Sequence, residues 1–425
     1  MRLTLSLLCA SAPVLFAAPA PVFTKDVLPL LQEKCQGCHR PGEIGPMPLM
    51  TYEEVRPWAK AIKTSVATKK MPPWFADSAH GKFANDRSLT QKEIETITAW
   101  VDGGAKQGNP KDAPAPKQWV QGWNIPKPDM VVDLPVEIKV PAKGTVDYQY
   151  VLAPADFKED TWVQMVEVRP SSPSVVHHVV VFIREPNSKW LRGEIEPGKP
   201  WEAPPKRRAV ETFGGGSDIL TIYTPGMVPD QWRPGLARKI PAGSDLIFQM
   251  HYTANGKDTV DKTRIGLVLA KEPPAERVLT LGAANTNFNI PPGDPNFEVK
   301  AVAPHVNPGQ LLAFFPHMHL RGKGFQYDLV KANGERETLL RVPRYDFNWQ
   351  LSYKLDKPID VEPGSKIEAT AWFDNSPNNA ANPDPKSTVR WGEQSWEEMM
   401  IGFYDVAVDA KFNRRTYYQK PKSTD

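Results

Sequence analysis

Five of the chain's eight histidines fall in three short apolar stretches: Val176-His177-His178-Val179, Met250-His251-Tyr252 and Pro316-His317-Met318-His319. A methionine pair, Met399-Met400, closes the series. Imidazole suits copper, and the soft thioether of methionine favours Cu(I). Far upstream, Cys35-Gln36-Gly37-Cys38-His39 has the spacing that attaches one covalent haem c. Both cysteines would form thioether bonds, and His39 would supply the axial imidazole. These residue types join an electron carrier to a copper-bearing body.

His317 and His319 stand two apart, so in a strand both face the same side and reach one metal. The following Leu320-Arg321-Gly322 equally allows the pair to sit at a strand end. His177 and His178 are adjacent, and adjacent strand residues face opposite ways. They share a metal only through a local twist, a bulge or a strand end, and read alone they are as readily a structural accident. His251, on the strand-like run Phe248 to Tyr252, supplies the missing context. Two adjacent imidazoles and one remote imidazole form an all-histidine site, and His317, His319 and a remote methionine form a softer one. Two copper ions are expected. Zinc is the plain alternative for a Cys-x-x-Cys pair, but the sequence holds no second pair to complete such a site. His80 and His305 lie outside the clusters and read as structural or solvent-exposed.

Around the haem motif the chain reads as helical. Val27, Leu28, Leu30 and Leu31 share one face, Tyr52 to Thr68 repeats apolar residues at helical spacing, and Ser88 can cap a third helix over Lys92 to Val101. The first and last of these resemble the crossing terminal helices of class I c-type cytochromes. Lys70-Met71-Pro72-Pro73-Trp74 resembles their distal-methionine loop, which implies Met71 as the sixth ligand. Met47 and Met50 compete for that role, and core packing is the alternative for Met71.

The 425 residues allow about two to four domains. A net charge of +3, with Lys206-Arg207-Arg208 as the one notable basic run, gives no case for nucleic acid. Residues 1–20 read as an export signal, with Arg2 before a short apolar core and Ala17-Ala18-Pro19-Ala20 for cleavage. That core is too short to span a membrane, which takes ~20 residues. A periplasmic or otherwise exported location is expected. Cys9 inside the signal does not suit lipid attachment, because Leu8 precedes it. Haem attachment would consume Cys35 and Cys38, leaving no thiolate for a blue-copper site.

The expected organisation is an all-α cytochrome c domain over 21–108, a proline-rich linker over 109–130, and two all-β antiparallel halves over 131–274 and 275–425. Short β-rich runs separated by turn signals carry the second assignment. The break between the halves falls near Lys271-Glu272-Pro273-Pro274. Glu185 to Gly243, with Gly214-Gly215-Gly216, reads as holding a loop that borders a site.

The order of the histidine segments, with Glu398-Met399 after them, resembles the copper type II, ascorbate-dependent monooxygenases over about residues 129–410. The resemblance implies two jelly-roll sandwich domains. It implies that His177, His178 and His251 hold an electron-transfer copper, and that His317, His319 and Met399 hold the oxygen-activating copper, with Met400 as the fallback ligand. Phe315, Ile401 and Phe403 fall where the peptide-processing members grip a carboxylate, so an apolar or aromatic substrate is expected. The implied function is a haem- and copper-dependent monooxygenase that hydroxylates a C–H bond with dioxygen. An external donor would reduce the haem, which passes electrons to copper. The alternatives are an electron-transfer or copper-handling protein on the same scaffold, or a structural sandwich fused to a cytochrome.

Overall fold

The computed structural model describes residues 20–144, 146–202 and 217–419. The expected export signal, save Ala20, lies outside the described residues, as do Lys206-Arg207-Arg208 and Gly214-Gly215-Gly216.

The N-terminal stretch holds α1 (Leu28–Lys34), α2 (Tyr52–Val55), α3 (Ala59–Ala67) and α4 (Gln91–Asp102). The break after α2 is written in the chain. Pro57 helps split the periodic run from Tyr52, and Arg56–Trp58 is a single 3-10 turn. α4 is capped by Thr90 in place of the expected Ser88, because Thr90 and Glu93 form a reciprocal capping box. Beyond Pro72 and Pro73 the chain leaves the helices. Trp74 and Phe75 are buried in the core of the second half of the protein. Phe83 bridges to Leu355, and Asn85 bonds the backbone of Ser352 and Lys354.

These contacts overturn the expected fold class. Part of the apolar content expected to close an all-α domain, Trp74 and Phe75, is instead committed to β structure, while Phe23, Leu31, Ile97 and Trp100 form a small core among the helices. The protein is mostly β, with 36% strand and 12% helix, and its short helices do not fit an all-α cytochrome c domain ahead of two jelly rolls.

Strands of four or more residues are numbered in chain order. The first half contains β1 (Met130–Asp133), β2 (Gln149–Ala153), β3 (Thr161–Arg169), β4 (Val176–Arg184), β5 (Ser217–Tyr223), β6 (Leu236–Ile240), β7 (Asp245–Tyr252) and β8 (Arg264–Leu269). The second half contains β9 (Glu276–Ala284), β10 (Phe297–Pro304), β11 (Gly309–His317), β12 (Gly322–Val330), β13 (Arg336–Val342), β14 (Tyr353–Val361), β15 (Lys366–Phe373) and β16 (Ile401–Asp409). One sheet runs through both halves in the order β1-β8-β3-β6-β9-β16-β11-β14. Its junction is a short parallel pairing, with Glu276 opposite Leu236. Arg238 of β6 reaches Asp405 of β16 at 2.8 Å across that junction.

A second sheet closes each half. β2-β7-β4-β5 lies over the first, and β10-β15-β12-β13 over the second. Val151, Phe248 and Leu267 fill the first core, and Leu329, Phe373 and Val406 fill the second. β10 alternates exposed and buried residues, as a sheet with one wet face must. β4 is buried along almost its whole length, because its outer face meets the other half and, near Phe182, Trp190 and Leu191 of its own. That seam joins Tyr148, Tyr150 and Phe182 to Phe315, Met399 and Phe403.

Residues between the helices and β1 lie along the body. The Arg40 guanidinium sits 4.2 Å above the Trp119 ring, and Asn124 bonds the Glu167 carboxylate. Among the described residues, no helix is long and apolar enough to cross a membrane.

Candidate metal centre

The adjacent histidines are turned to one side by a bulge. In the antiparallel pairing of β4 and β7, His178 lies opposite His251, and the next residue, Tyr252, lies opposite Val176. His177 is the extra residue of the bulge, which re-aims its side chain. The Nδ1 atoms of His177 and His178 are 3.1 Å apart. The His177 and His178 rings stand 4.7 and 4.9 Å from that of His251. One ligating nitrogen from each of the three lies within 4.8 Å of the others.

β11 ends at His317, and His319 lies in the turn beyond it. The pair therefore sits at a strand end, with rings 5.2 Å apart and perpendicular at 89°. Glu398, fully buried, holds the turn by accepting the backbone N–H of His319 at 2.9 Å and of Arg321 at 2.6 Å. Burial pushes its carboxyl up to about 8, against the pull of those N–H groups and of Arg321. His317 Nδ1 donates to Gln350 Oε1 at 2.7 Å, and His319 Nδ1 donates more weakly to the Glu397 carbonyl at 3.4 Å. Both bonds leave Nε2 as the ligating atom.

The two sets converge. The His178 and His317 rings face each other at 6.2 Å and 89°. Phe347, from the second half, stacks on His177 of the first at 4.6 Å. Tyr148 covers His251 at 4.4 Å. Between the halves lies a cavity of about 40 Å³, lined by His178, His317, Met399, Phe315, Phe403 and Glu393 among others. Met399 belongs to this seam, while Met400 is packed in the second core. Ile401 is buried in the seam beside them.

Burial lowers the basicity of all five imidazoles. His177 and His317 fall to about 4. His178, His251 and His319 fall well below their ordinary value, helped by neighbouring imidazoles. All five are neutral at physiological pH, which is the ligating form. His177 Nε2, His251 Nδ1 and His319 Nε2 are buried without a hydrogen-bond partner. Neutral imidazoles with orphaned nitrogens in a closed apolar seam fit copper.

At the haem motif, Cys35 and Cys38 are free thiols. Burial pushes Cys35 up to about 12 and raises Cys38 as well. His39 Nδ1 donates to the Met47 carbonyl at 3.1 Å, leaving Nε2 available. Gly45 packs so closely that a Cβ there would lie 2.8 Å from His39 Nδ1. A cavity of about 640 Å³, within the usual range for a ligand, opens beside Cys38. Met47 packs with Cys35 in the helical cluster, and Met71 lies outside that cluster.

Tyr148, Phe347 and Gln350 have no spacing or motif that marks them in the sequence; only the fold brings them to the histidines. His305 is buried and bonds Tyr417 Oη at 2.6 Å through Nδ1. His80 is half-buried in a turn begun by Asp77.

Residues 276–404 match the family model of the copper type II ascorbate-dependent monooxygenase, C-terminal domain. That stretch contains His317, His319 and Met399 and begins at the first residue of β9. No curated protein matches the chain. Among solved structures, PBCV-1 VP54, fitted into a reconstruction of the virophage Sputnik, is 9% identical over 64% of this chain and 99% of that chain, with a TM-score of 0.23. The infectious bursal disease virus Gx strain structure is 8% identical over 67% of this chain and 73% of that chain, with a TM-score of 0.19. Scores this low do not define the fold.

Proposed function

We propose that this protein is an exported copper- and haem-dependent monooxygenase that places one atom of dioxygen on a C–H bond of a small apolar or aromatic substrate. The observation that carries the reading is the convergence of two sets of neutral, buried imidazoles from the two halves, whose His178 and His317 line one cavity with Met399. The match of residues 276–404 to a copper-dependent monooxygenase domain supports it.

His177, His178 and His251 would hold one copper, and His317, His319 and Met399 the other. Copper, when bound, supplies one-electron redox chemistry and dioxygen activation; haem c on Cys35 and Cys38 supplies a one-electron store. Gln350 orients His317, and Glu398 fixes the turn that carries His319. Phe347 and Tyr148 exclude water from the first cluster. Phe315, Ile401 and Phe403 offer apolar surface where a substrate C–H bond would rest. The Met47 backbone carbonyl accepts from His39 Nδ1; Met71 would serve as the distal haem ligand, with Met47 and Met50 as its competitors.

The cavity of about 40 Å³ is far below the ~300 Å³ of the smallest usual ligand pocket. Substrate would therefore need the side chains lining this cavity to move aside. The same small volume favours one other reading, an electron-transfer or copper-handling protein. Labelled dioxygen separates the two. Protein loaded with haem and copper is given a reductant and a panel of apolar and aromatic compounds, and label in a hydroxylated product supports the monooxygenase. Copper-dependent haem oxidation with no labelled product would favour the second reading.

A further inference from the structure

We propose that β5 and the turn after it conduct electrons from the Cys38 edge of the haem to His178, so that the all-imidazole copper is reduced first. This inference rests on the haem and copper reading above. It adds a route and an order of filling, both set by residues of this chain.

The route begins at a contact. Gly226, in the turn after β5, has φ of +79°, and a Cβ there would lie 3.2 Å from Cys38 Sγ. The turn thus packs beside the sulfur that would carry a thioether, with the Arg87 guanidinium nearer still, 2.8 Å from the same Cβ position. Tyr223 ends β5 and lines the same large cavity as Cys38 and Gly226. Burial raises its phenol, and the fields of Glu43 and Cys38 add to the rise, which agrees with that placement.

The strand register supplies the rest. Tyr223 of β5 lies opposite Val179 of β4. Val179 is the residue after His178, and His178 lies opposite His251. From the large cavity the path is the Tyr223 side chain in its wall, one cross-strand step to Val179 and one peptide unit to His178. Ile222, beside Tyr223, lines both the Cys38 cavity and the small cavity between His178 and His317. One strand is therefore the whole wall between the two cavities at this point.

The competing route to His317 runs from ring to ring. It would pass from the segment after Met71 through Phe83 and Tyr353, whose rings are 5.6 Å apart, to Phe314 opposite Tyr353, and then along β11. In each transfer one electron leaves ferrous haem, which becomes ferric, and one Cu(II) becomes Cu(I). No proton moves, and an external one-electron donor restores the ferrous haem.

The test uses full-length protein loaded with copper. Mass and haem absorbance first establish covalent attachment. A chain without haem would overturn the underlying reading and this route with it. In haem-bearing protein, flash photoreduction of the haem is followed by its reoxidation in the absence of substrate and dioxygen. The expected result is a copper-dependent fast phase that Tyr223→Leu abolishes, Tyr223→Phe keeps and Phe83→Leu keeps, with haem content, copper content and haem potential unchanged. Freeze-quench EPR of the wild type after a single-electron pulse gives a measurement free of substitutions. The signal of the all-imidazole Cu(II), identified by its loss in His178→Ala, should fall first. Retention of the fast phase in Tyr223→Leu, its loss in Phe83→Leu, or earlier reduction of the other copper would each overturn the route while leaving the haem reading intact.

Discussion

Removing copper should cost this protein a measurable part of its stability, because the metal-free site buries polar atoms with nothing to bond. His177 Nε2, His251 Nδ1 and His319 Nε2 are the three. A buried polar atom left unpaired costs about 1–3 kcal/mol, so three together cost ~3–9 kcal/mol. Total stabilities of native proteins are about 5–15 kcal/mol, so the difference is large on that scale. At ~2.1 cal/mol/K per residue a chain of 425 residues has an unfolding entropy of about 0.9 kcal/mol/K, so each kcal/mol moves Tm by roughly 1 °C, and the range gives a rise of about 3–10 °C on loading. The assay is scanning calorimetry of copper-stripped protein titrated with copper, with magnesium as the control. His251→Phe sharpens it by removing one orphaned nitrogen. Its metal-free form should melt no lower than the wild type, while its copper-induced rise loses the share of the all-imidazole site. A rise below ~2 °C in the wild type, or a full rise in His251→Phe, would refute the reasoning.

Three other outcomes follow from named contacts. Gln350→Leu deprives His317 Nδ1 of its acceptor, and should weaken copper binding by about 10–100-fold in a competitive titration with little change in the metal-free melt. Met399→Leu conserves volume, so it should cost less than ~1.5 kcal/mol in urea unfolding while abolishing transfer of labelled oxygen; Met400→Ala, in the core, should instead cost ~2–5 kcal/mol and keep its copper. His305, far from the metals in this reading, is held neutral by burial, with its ordinary 6.5 lowered to about 4. Its contribution is fully present above 6.5 and is lost as pH falls through that interval, about 3 kcal/mol at ~1.36 kcal/mol per pH unit. Urea unfolding from neutral pH to pH 4 should show a shallower acid loss in His305→Gln than in the wild type.

The helical segment shows where sequence reading failed and why. Its apolar periodicity was sound locally, and Ile94, Ile97 and Trp100 are buried in α4. The sequence did not reveal that Trp74 and Phe75 would bury themselves against strands nearly three hundred residues away. Periodicity reports which face of an element is apolar and says nothing about which element covers it. Likewise, the N-cap fell at Thr90 because a capping box outcompetes a lone serine.

The sequence by itself determined the chemical vocabulary. It named imidazole, thioether and a haem-attachment motif, because side-chain identity fixes what a group can ligate. It also exposed the problem of His177 and His178, because adjacent strand residues face apart. Only the tertiary structure solved that problem, with one unpaired residue opposite His251 and Tyr252. Only the structure turned two separate histidine sets into facing ones, with His178 and His317 at 6.2 Å. That distance follows from a sheet shared by both halves and an aromatic seam between them. Strand register and the packing of distant segments are long-range properties, and no local spacing encodes them.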